Sequence, residues 1–333
     1  MANILVTGGA GYVGSVCCAE LLHQGHAVAI VDDLSTGCRE AVAPGAAFFQ
    51  MDIGDPSAMQ ALVSNIRFDA VFHFAAKALI PESVSNPGLF FQHNVAAGIA
   101  MLEVLRGAGI RNFVFSSSAA VYGTPERVPI DEDDAKNPVT SYGETKLSFE
   151  RILRWYAQAY GWNVTALRYF NASGATPELG ERHEPETHII PLILETATGE
   201  REAFNIYGDD YDTPDGTCLR DYVHVLDIAN AHICALQKLN TPGMRIYNIG
   251  LGTSYSVREV CKAAAEVTGH AIPLHISARR EGDPPVLCAS PKRIMHELGW
   301  KPEHSSLREI LESAWRWKQK QSGSLTAVSS SAR

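Results

Sequence analysis

Two residues in the middle of the chain have the types and the spacing for proton transfer. Tyr142 and Lys146 form a Y-x-x-x-K pair. On a helix, a spacing of four places both side chains on one face. An ammonium group close to a phenol stabilises the phenolate and lowers the phenol pKa, so Tyr142 could take a proton from a hydroxyl group near neutral pH. Surface Tyr/Lys pairs also give this pattern, so the pair alone decides nothing.

A serine-ended apolar segment makes the Tyr/Lys pair more informative. Phe113-Val-Phe-Ser-Ser-Ser118 lies about one helix upstream and is typical of a strand that ends in hydroxyl groups. A serine at that point can hydrogen-bond an oxygen that alternates between alcohol and ketone. Ser118, Tyr142 and Lys146 are therefore candidates for a single catalytic site.

A glycine-rich turn near the start of the chain has the spacing of a dinucleotide-binding loop. Thr7-Gly-Gly-Ala-Gly-Tyr-Val-Gly14 fits G-x-G-x-x-G through Gly9, Gly11 and Gly14, and the shifted G-x-x-G-x-x-G through Gly8, Gly11 and Gly14. Such glycines let backbone N–H groups approach a pyrophosphate at the positive end of a helix. The position of the loop between a predicted strand and a predicted helix strengthens the interpretation.

An acidic pair at the end of the second strand indicates which dinucleotide binds. Val31-Asp-Asp33 stands where a carboxylate would contact the ribose hydroxyls next to adenine. A carboxylate at that place repels the additional phosphate of NADP, which favours NAD. Asp52-Ile53, after the third strand, could reach the adenine ring.

The elements that must position these residues alternate between strand and helix through the first half. Apolar runs predict strands at Ile4–Thr7, Ala27–Val31, Ala46–Met51, Ala70–Phe74, Asn112–Ser116 and Asn163–Tyr169. Helical patterns cover Tyr12–His23, Pro56–Asn65, Phe90–Gly107 and a segment that begins near Ser141. This alternation predicts an α/β fold with a doubly wound, Rossmann-like parallel sheet.

The second half is less regular and richer in glycine and proline. We expect a dinucleotide-binding domain over 1–172 and a smaller, partly interleaved C-terminal domain, mainly for substrate, over 173–320. Segments near 221–250 are expected to return to the first domain. The last residues, 321–333, have no periodicity and predict a disordered tail.

Composition narrows the class of protein further. The 333 residues carry a formal net charge of −9, which gives no general attraction to nucleic acid or anionic lipid. The 7 cysteines are scattered without zinc-like spacing, so no metal is expected and the thiols indicate a reducing, cytoplasmic location. No apolar stretch approaches the ~20 residues that span a bilayer, so no membrane association is expected.

Several longer segments resemble a known family. Besides the glycine loop, they are Asp32-Asp-Leu-Ser-Thr-Gly37, His73-Phe-Ala-Ala76, Phe115-Ser-Ser-Ser-Ala-Ala-Val-Tyr-Gly123, Leu167-Arg-Tyr-Phe-Asn171, Asp215-Gly-Thr-Cys-Leu-Arg-Asp-Tyr222 and Arg279-Arg-Glu-Gly-Asp283. Together they are similar to the extended short-chain dehydrogenase/reductase family, and within it to the UDP-glucose 4-epimerases. The resemblance runs from Asn3 to about Gln319.

The resemblance implies a role for each part of the site. It implies that Ser118, Tyr142 and Lys146 are catalytic, and that Ser118 and Tyr142 also contact the substrate. The residues implied to line the NAD site are Gly8, Gly11, Tyr12, Val13, Gly14, Asp32, Asp33, Leu34, Ser35, Thr36, Gly37, Asp52, Ile53, Phe74, Ala75, Ala76, Tyr169 and Phe170. Those implied to hold a UDP-sugar are Asn171, His188, Asn205, Tyr207, Arg220, Arg280 and Asp283. Arginine suits a pyrophosphate because its fork donates two parallel hydrogen bonds.

The same resemblance implies an NAD-dependent isomerase that interconverts UDP-glucose and UDP-galactose. C4 would be oxidised, the 4-keto sugar would turn within the site, and C4 would be reduced on the opposite face. A homodimer formed through the helix of Tyr142 and its neighbour is also implied.

Three positions depart from the usual pattern of the family. Thr187-His188 stands where some epimerases have Asn-Asn, so His188 is either a donor to the nucleotide sugar or a packed side chain. His93 precedes Asn94 where other members have a second asparagine, which weakens a cofactor role for either residue. Leu287 occupies the position that resembles the gate of the hexose pocket, which leaves N-acetylated sugars open as substrates.

Other functions remain as alternatives. They are 4-epimerisation of another UDP-sugar (an N-acetylhexosamine, a pentose or a uronate), another sugar-nucleotide reaction of the same family, and a non-catalytic, NAD-sensing protein of the same fold. Dehydratases of the family need an Asp-Glu pair directly after the serine, and Ala119-Ala120 at those positions argues against dehydration. The intact Tyr142 and Lys146 argue against a catalytically inactive sensor.

Overall fold

Apolar strands and amphipathic helices alternate along the chain as the sequence predicts. The computed structural model describes residues 1–280 and 282–330. The strands are β1 (Asn3–Thr7), β2 (Ala27–Asp32), β3 (Ala47–Gln50), β4 (Ala70–His73), β5 (Asn112–Ser118), β6 (Asn163–Tyr169), β7 (Asn171–Ser173), β8 (Phe204–Tyr207), β9 (Leu219–Arg220), β10 (Tyr222–His224), β11 (Gly243–Ile249), β12 (Tyr255–Ser256), β13 (Leu274–Ser277) and β14 (Val286–Leu287). The helices are α1 (Tyr12–His23), α2 (Pro56–Asn65), α3 (Ile80–Ser85), α4 (Pro87–Phe91), α5 (Ala97–Gly107), α6 (Ser141–Tyr160), α7 (Ile189–Ala197), α8 (Val225–Gln237), α9 (Val257–Thr268), α10 (Lys292–Leu298) and α11 (Leu307–Ser330).

A seven-stranded sheet forms the centre of the molecule, in the order β11-β6-β5-β4-β1-β2-β3. Every neighbouring pair in it is parallel. The carboxyl ends of its strands therefore lie along one edge, where Thr7 pairs with Val31 and His73, and Ser118 pairs with Tyr169. In open parallel sheets ligands bind at this edge.

Helices cover both faces of the sheet, which accounts for the almost unbroken apolar character of its strands. On one face α1 and α8 pack together, and Val16 and Ile228 lie in the same core cluster as Ile4 and Val6. On the other face α2, α5 and α6 bury Met59, Leu105 and Phe149. The predicted doubly wound α/β fold is confirmed.

The second half of the chain contributes to two parts of the molecule. β11 pairs with β6 at the edge of the central sheet, and α8 packs on α1. Both elements therefore belong to the central sheet and its helical layer, together with the first half of the chain. A separate core cluster forms between α7, α9 and α11, with Ile193, Val260 and Ile310 fully buried. Short strand pairs such as β8–β13 and β9–β14 complete this part.

The long helix predicted over Phe90–Gly107 consists of three helical pieces. A π-helical turn, Gln92–Ala96, joins α4 to α5. Within it the buried Asn94 accepts a hydrogen bond from the backbone N–H of Lys77 and donates to Thr145 on α6. The irregular turn thus places a polar side chain where it ties two neighbouring segments together.

Two further expectations differ from the structure. The stretch Pro87–Gly107 does reach membrane-spanning length and hydropathy, a test that core helices also pass, and 39% of its apolar window is buried inside the protein. The tail expected to be disordered from Gln321 is helical as far as Ser330, because α11 continues through it. Extending an existing helix costs much less than starting one. Residues 331–333 of that tail lie outside the described residues.

Candidate active site

A large cavity opens at the carboxyl edge of the central sheet. Its volume is about 2060 Å³. Pockets for one small ligand are typically ~300–1,000 Å³, so this cavity has room for two. It is lined by every residue that the sequence assigned to catalysis, cofactor or substrate. The structure therefore brings the whole set of candidates to one place.

The glycine-rich loop forms a cradle that larger residues would fill. A Cβ on Gly8 would lie 2.4 Å from the backbone nitrogen of Ala75, and one on Gly14 would lie 2.2 Å from the carbonyl oxygen of Gly8. Gly11 is the N-cap of α1 and offers no side chain to the free N–H groups of the first turn. Those N–H groups and the helix dipole fit the pyrophosphate of a dinucleotide.

Asp32 organises the loop that follows β2. One of its carboxylate oxygens accepts the backbone N–H of Ala10 at 2.9 Å and the other accepts that of Leu34 at 2.9 Å. Leu34 has a positive φ of 59°, a conformation that a leucine adopts only where its surroundings impose it. Burial raises the pKa of Asp32, and the two N–H donors oppose the rise. The carboxylate thus holds the glycine loop and the Asp32–Gly37 loop beside each other.

The other predicted cofactor residues also line the cavity. They are Tyr12, Val13, Asp33, Ser35, Thr36, Gly37, Asp52, Ile53, Phe74, Ala75 and Ala76. Tyr169 and Phe170 line the cavity as well, but the Tyr169 hydroxyl is 2.7 Å from Nε2 of the buried His232. The hydroxyl of Tyr169 is thus used within the core.

Helix α6 brings Tyr142 and Lys146 to the end of β5. Thr140 caps the helix by accepting the backbone N–H of Gly143 at 3.2 Å. A Cβ on Gly143 would lie 2.5 Å from the carbonyl oxygen of Ala120, so only glycine allows α6 to approach the turn after Ser118 this closely. Sequence reasoning missed this positioning role, although Gly143 stands between the tyrosine and the lysine.

Ser118, Tyr142 and Lys146 converge on one wall of the cavity. Lys146 is buried, and its Nζ donates to the carbonyl oxygen of Ser116 at 2.8 Å and lies 5.8 Å from the centre of the Tyr142 ring. Burial lowers the pKa of Lys146 to about 7, while the charge of Glu150 opposes this change. The three side chains are therefore close enough to act on one hydroxyl group.

The pKa of Tyr142 differs from what the sequence suggested. Burial is the main influence and raises it, whereas a hydrogen bond from Ser118 lowers it. The Ser118 hydroxyl is thus a partner that favours the phenolate here. Sequence spacing could not reveal this, because desolvation depends on the packing around the phenol.

A buried polar network behind the catalytic wall was not predicted. Arg168 on β6 and Glu150 on α6 form an ion pair in which Nη2 and Oε2 are 2.6 Å apart, with side-chain exposures of 1% and 3%. Glu150 also accepts the Ser117 hydroxyl at 2.6 Å, and Arg168 donates to the Tyr122 hydroxyl at 2.7 Å. The signal in the sequence is a charged residue, Arg168, inside a strand of the central sheet.

The predicted substrate residues line the same cavity. Arg220 pairs with Asp283, and the Arg280 guanidinium lies 3.8 Å from the centre of the Tyr207 ring. Asn171 donates its side-chain amide to the carbonyl oxygen of Asp221 at 2.8 Å. The rest of this group is Asn205, which is exposed on β8, and His188. Glu281, within the Arg279–Asp283 segment, lies outside the described residues.

His188 takes part in a cluster that the sequence did not predict as a unit. Its Nδ1 is 2.8 Å from Oε1 of Glu186 and 3.5 Å from Oε2 of Glu181. The two carboxylates already bind Nδ1 of His188. This position therefore differs from both expected roles, a packed side chain and a free donor to the nucleotide sugar.

The sheet order, the glycine cradle and the Ser/Tyr/Lys wall together define a Rossmann-fold enzyme that uses a dinucleotide. Residues 4–250 match the family model of the NAD dependent epimerase/dehydratase family, and the chain belongs to that family.

Individual relatives agree with this assignment over almost the whole chain. A UDP-glucose 4-epimerase of Corynebacterium glutamicum is 49% identical over 313 residues, which is 94% of each chain. The crystal structure of UDP-glucose 4-epimerase from Brucella ovis in complex with NAD has a TM-score of 0.91 and 43% identity, and covers 95% of this chain and 98% of its own. That of UDP-glucose 4-epimerase from Bifidobacterium longum with NAD+ and UDP has a TM-score of 0.91 and 35% identity, covering 96% and 98%.

Proposed function

We propose that the protein inverts C4 of UDP-bound hexoses and interconverts UDP-glucose and UDP-galactose with NAD as cofactor. The observation that carries the proposal is the convergence of Ser118, Tyr142 and Lys146 on one wall of a cavity large enough for a dinucleotide and a nucleotide sugar. Similarity to UDP-glucose 4-epimerases along nearly the full chain supports the same substrate.

The residues of the chain divide the chemistry between them. NAD, held by the glycine-rich loop and the Asp32–Gly37 loop, would supply a reversible hydride acceptor for C4 of the sugar. The phenolic oxygen of Tyr142 takes the proton of the 4-hydroxyl group and later returns it. Ser118 donates a hydrogen bond to Tyr142, which stabilises the phenolate, and can also bond the reacting sugar oxygen. Lys146, held by the carbonyl oxygen of Ser116, supplies positive charge next to the phenol when protonated.

The UDP moiety is assigned to the part of the cavity that two arginines line. Arg220 and Arg280 are cations on its lining, suited to a diphosphate. Arg220 also pairs with Asp283, and this carboxylate fixes the orientation of the guanidinium. Inversion at C4 requires that the nucleotide is held firmly while the hexose turns. Arg220 and Arg280 would hold the nucleotide and leave the hexose free to turn.

The experiment that tests the proposal is direct product identification. The purified protein, supplied with NAD, is incubated with UDP-galactose, and the products are followed by NMR. Appearance of UDP-glucose, approaching the same ratio from either direction, is the expected result. A stable pool of either sugar after prolonged incubation with correctly folded, NAD-bound protein would overturn the proposal.

A broader substrate range is the second candidate, favoured by the packing of Leu287. This side chain is half-buried and packs against the buried cluster that contains Ala119, the residue after Ser118, as Phe170 also does. Leucine leaves an intermediate space at the hexose, so N-acetylated UDP-hexosamines are the alternative to test in parallel with UDP-galactose.

We also propose a homodimer, formed on the outer face of α4, α5 and α6. This face exposes Phe91, Ile99 and Trp155, the last at 67%. Large apolar side chains that share one face are typical of contact surfaces. Sedimentation of the protein as a dimer, and of Trp155→Glu as a monomer, is the expected outcome.

A cytoplasmic location completes the proposal. All 7 cysteines are free thiols, which fits a reducing compartment. Fractionation of the source cells with an antibody against the protein tests this assignment.

A further inference from the structure

A group of histidines and carboxylates converges beside the cavity, in the segment that leads into α7. One potential ligand atom from each of Glu181, His183 and His188 lies within 4.8 Å of the others. His183 Nδ1 is 2.5 Å from Glu181 Oε1, and the two histidine rings have centroids 5.4 Å apart. Glu186 joins the group through His188. The sequence contains the underlying repeat, Glu-x-His at 181–183 and again at 186–188.

The charges of this group are not balanced by fixed cations. The side chains of Glu181 and Glu186 are only 8% and 10% exposed. Within residues 1–280 and 282–330, the ion pairs made by these two carboxylates all come from His183 and His188. Burying two carboxylates costs free energy unless a positive charge lies between them, and in the described part of the chain only the two histidines form ion pairs with them.

We propose that Glu181, His183 and His188 bind a divalent transition metal ion of the zinc type, with Glu186 as a fourth ligand. Imidazole nitrogen and carboxylate oxygen are both ligands of such ions. Ligand atoms ~2.1 Å from a tetrahedral ion lie ~3.4 Å apart. The observed separations of 2.5 Å, 2.8 Å and 3.5 Å lie around that value, so small side-chain shifts suffice.

The location gives the ion a structural role. Glu181 and Glu186 lie close enough to Tyr12 to raise the pKa of its phenol, after burial as the main cause. Tyr12 is the first residue of α1 and its hydroxyl donates to the carbonyl oxygen of Gly174 at 2.6 Å. The ion would join the segment before α7 to the side of the glycine-rich loop. This inference goes beyond the proposed function and does not depend on the substrate.

The test measures metal binding directly. The full-length protein is treated with a chelator, dialysed, and titrated with Zn²⁺ in competition with a chromophoric chelator. We expect one tightly held equivalent per chain, with a dissociation constant in the micromolar range or below. Absence of that equivalent in the folded protein overturns the proposal, whether or not the protein epimerises UDP-galactose.

Variants locate the bound ion. His183→Ala and Glu181→Gln, each checked for native circular dichroism, are expected to weaken binding at least tenfold. His23→Ala, which removes a histidine with 83% side-chain exposure on α1, is the matched control and should bind like the wild type. Unchanged binding in the folded double variant Glu181→Gln/His183→Ala would place the ion elsewhere and overturn the assignment.

A crystallographic measurement does not depend on variants. Anomalous scattering above and below the zinc absorption edge, from crystals grown with Zn²⁺, is expected to give a peak between Glu181, His183 and His188. A peak only at other residues, or no peak, contradicts the site.

Discussion

Glu150 and Arg168 form an ion pair that is sealed between α6 and the central sheet, with both side chains at most 3% exposed. Glu150 follows Lys146 by one helical turn, and its Oε1 accepts the hydroxyl of Ser117, the residue directly before Ser118. The pair therefore joins the helix that carries Tyr142 and Lys146 to the strand end that carries Ser118.

Removing the negative charge of this pair is expected to destabilise the protein strongly. Glu150→Gln leaves the Arg168 guanidinium buried without a counter-ion, and breaking a buried pair in this way costs about 3–5 kcal/mol. Urea denaturation followed by circular dichroism measures the loss. Glu144→Gln, on the same helix but partly exposed, is the control and should change the free energy of unfolding by well under ~1 kcal/mol. Equal stabilities of the two variants would contradict the role of the pair.

Filling the glycine cradle should weaken cofactor binding strongly. A Cβ at position 14 would lie 2.2 Å from the carbonyl oxygen of Gly8, so Gly14→Ala must push the loop apart. We expect the dissociation constant for NAD, measured by fluorescence titration, to rise at least tenfold. Gly107→Ala is the matched control, because a Cβ there meets no atom within 4 Å. NAD affinity that is equal in both variants would show that the loop does not hold the pyrophosphate.

Removing the phenolic oxygen should stop the reaction while the cofactor stays bound. Tyr142→Phe keeps the ring in place but has no atom that can take the hydroxyl proton, so we expect a fall of at least ~10³-fold in kcat. NAD content, read from the absorbance of the released nucleotide, should match the wild type. Tyr156→Phe on the outer side of α6 should retain full turnover. Substantial activity in Tyr142→Phe would exclude the phenol as the proton acceptor.

The central sheet and the position of the site could be predicted because their signals are local. Alternating apolar runs set the strands, and glycines at Gly8 and Gly14 belong to one turn whose shape depends on nearby backbone. The pairing of Tyr142 with Lys146 follows from helix geometry alone. Their approach to Ser118 needed only the rule that parallel strands end at a common edge.

What could not be predicted depends on contacts between distant parts of the chain. Gly143 matters because α6 touches the turn at Ala120, and Glu150 matters because Arg168 lies opposite it on another element. The pKa of Tyr142 follows from burial, which no spacing encodes. The Glu181 cluster has a visible repeat, but only the fold of the segment shows that its ligand atoms converge.

Lys146 should make the stability of the protein depend on pH in the alkaline range. Burial lowers the pKa of Lys146 from 10.5 to about 7, so between these values the unfolded chain holds a proton that the folded protein lacks. The contribution of Lys146 to the free energy of unfolding therefore increases as the pH rises from about 7 towards 10.5.

The comparison with Lys146→Met isolates this effect. The free energy of unfolding of the wild type, minus that of Lys146→Met, should increase from pH ~7 to pH ~10. Denaturant unfolding at each pH measures this difference. The same comparison with Lys301→Met, at an exposed lysine, corrects for the loss of one charge. A difference that stays flat or shrinks with pH would show that Lys146 is not desolvated as described.

The size of the side chain at position 287 should set which hexose is accepted. Leu287 on β14 pairs with Arg220 of β9, and it packs against the same buried cluster as Phe170, which contains Ala119. Leu287→Ala opens space at the sugar, so kcat/KM for UDP-N-acetylglucosamine should rise relative to that for UDP-galactose. Leu287→Tyr should lower the same ratio, because the larger ring excludes the acetamido group.

A difference of one contact at the sugar is worth about 1–3 kcal/mol, so we expect a change of ~10- to 200-fold in the ratio between the two variants. Product formation from each sugar, followed by NMR under identical conditions, gives the ratio. Leu274→Ala, at an exposed leucine of β13, is the control for a general effect of losing a leucine. If both substitutions at 287 left the ratio unchanged, the hexose pocket would have to be closed by other residues than Leu287.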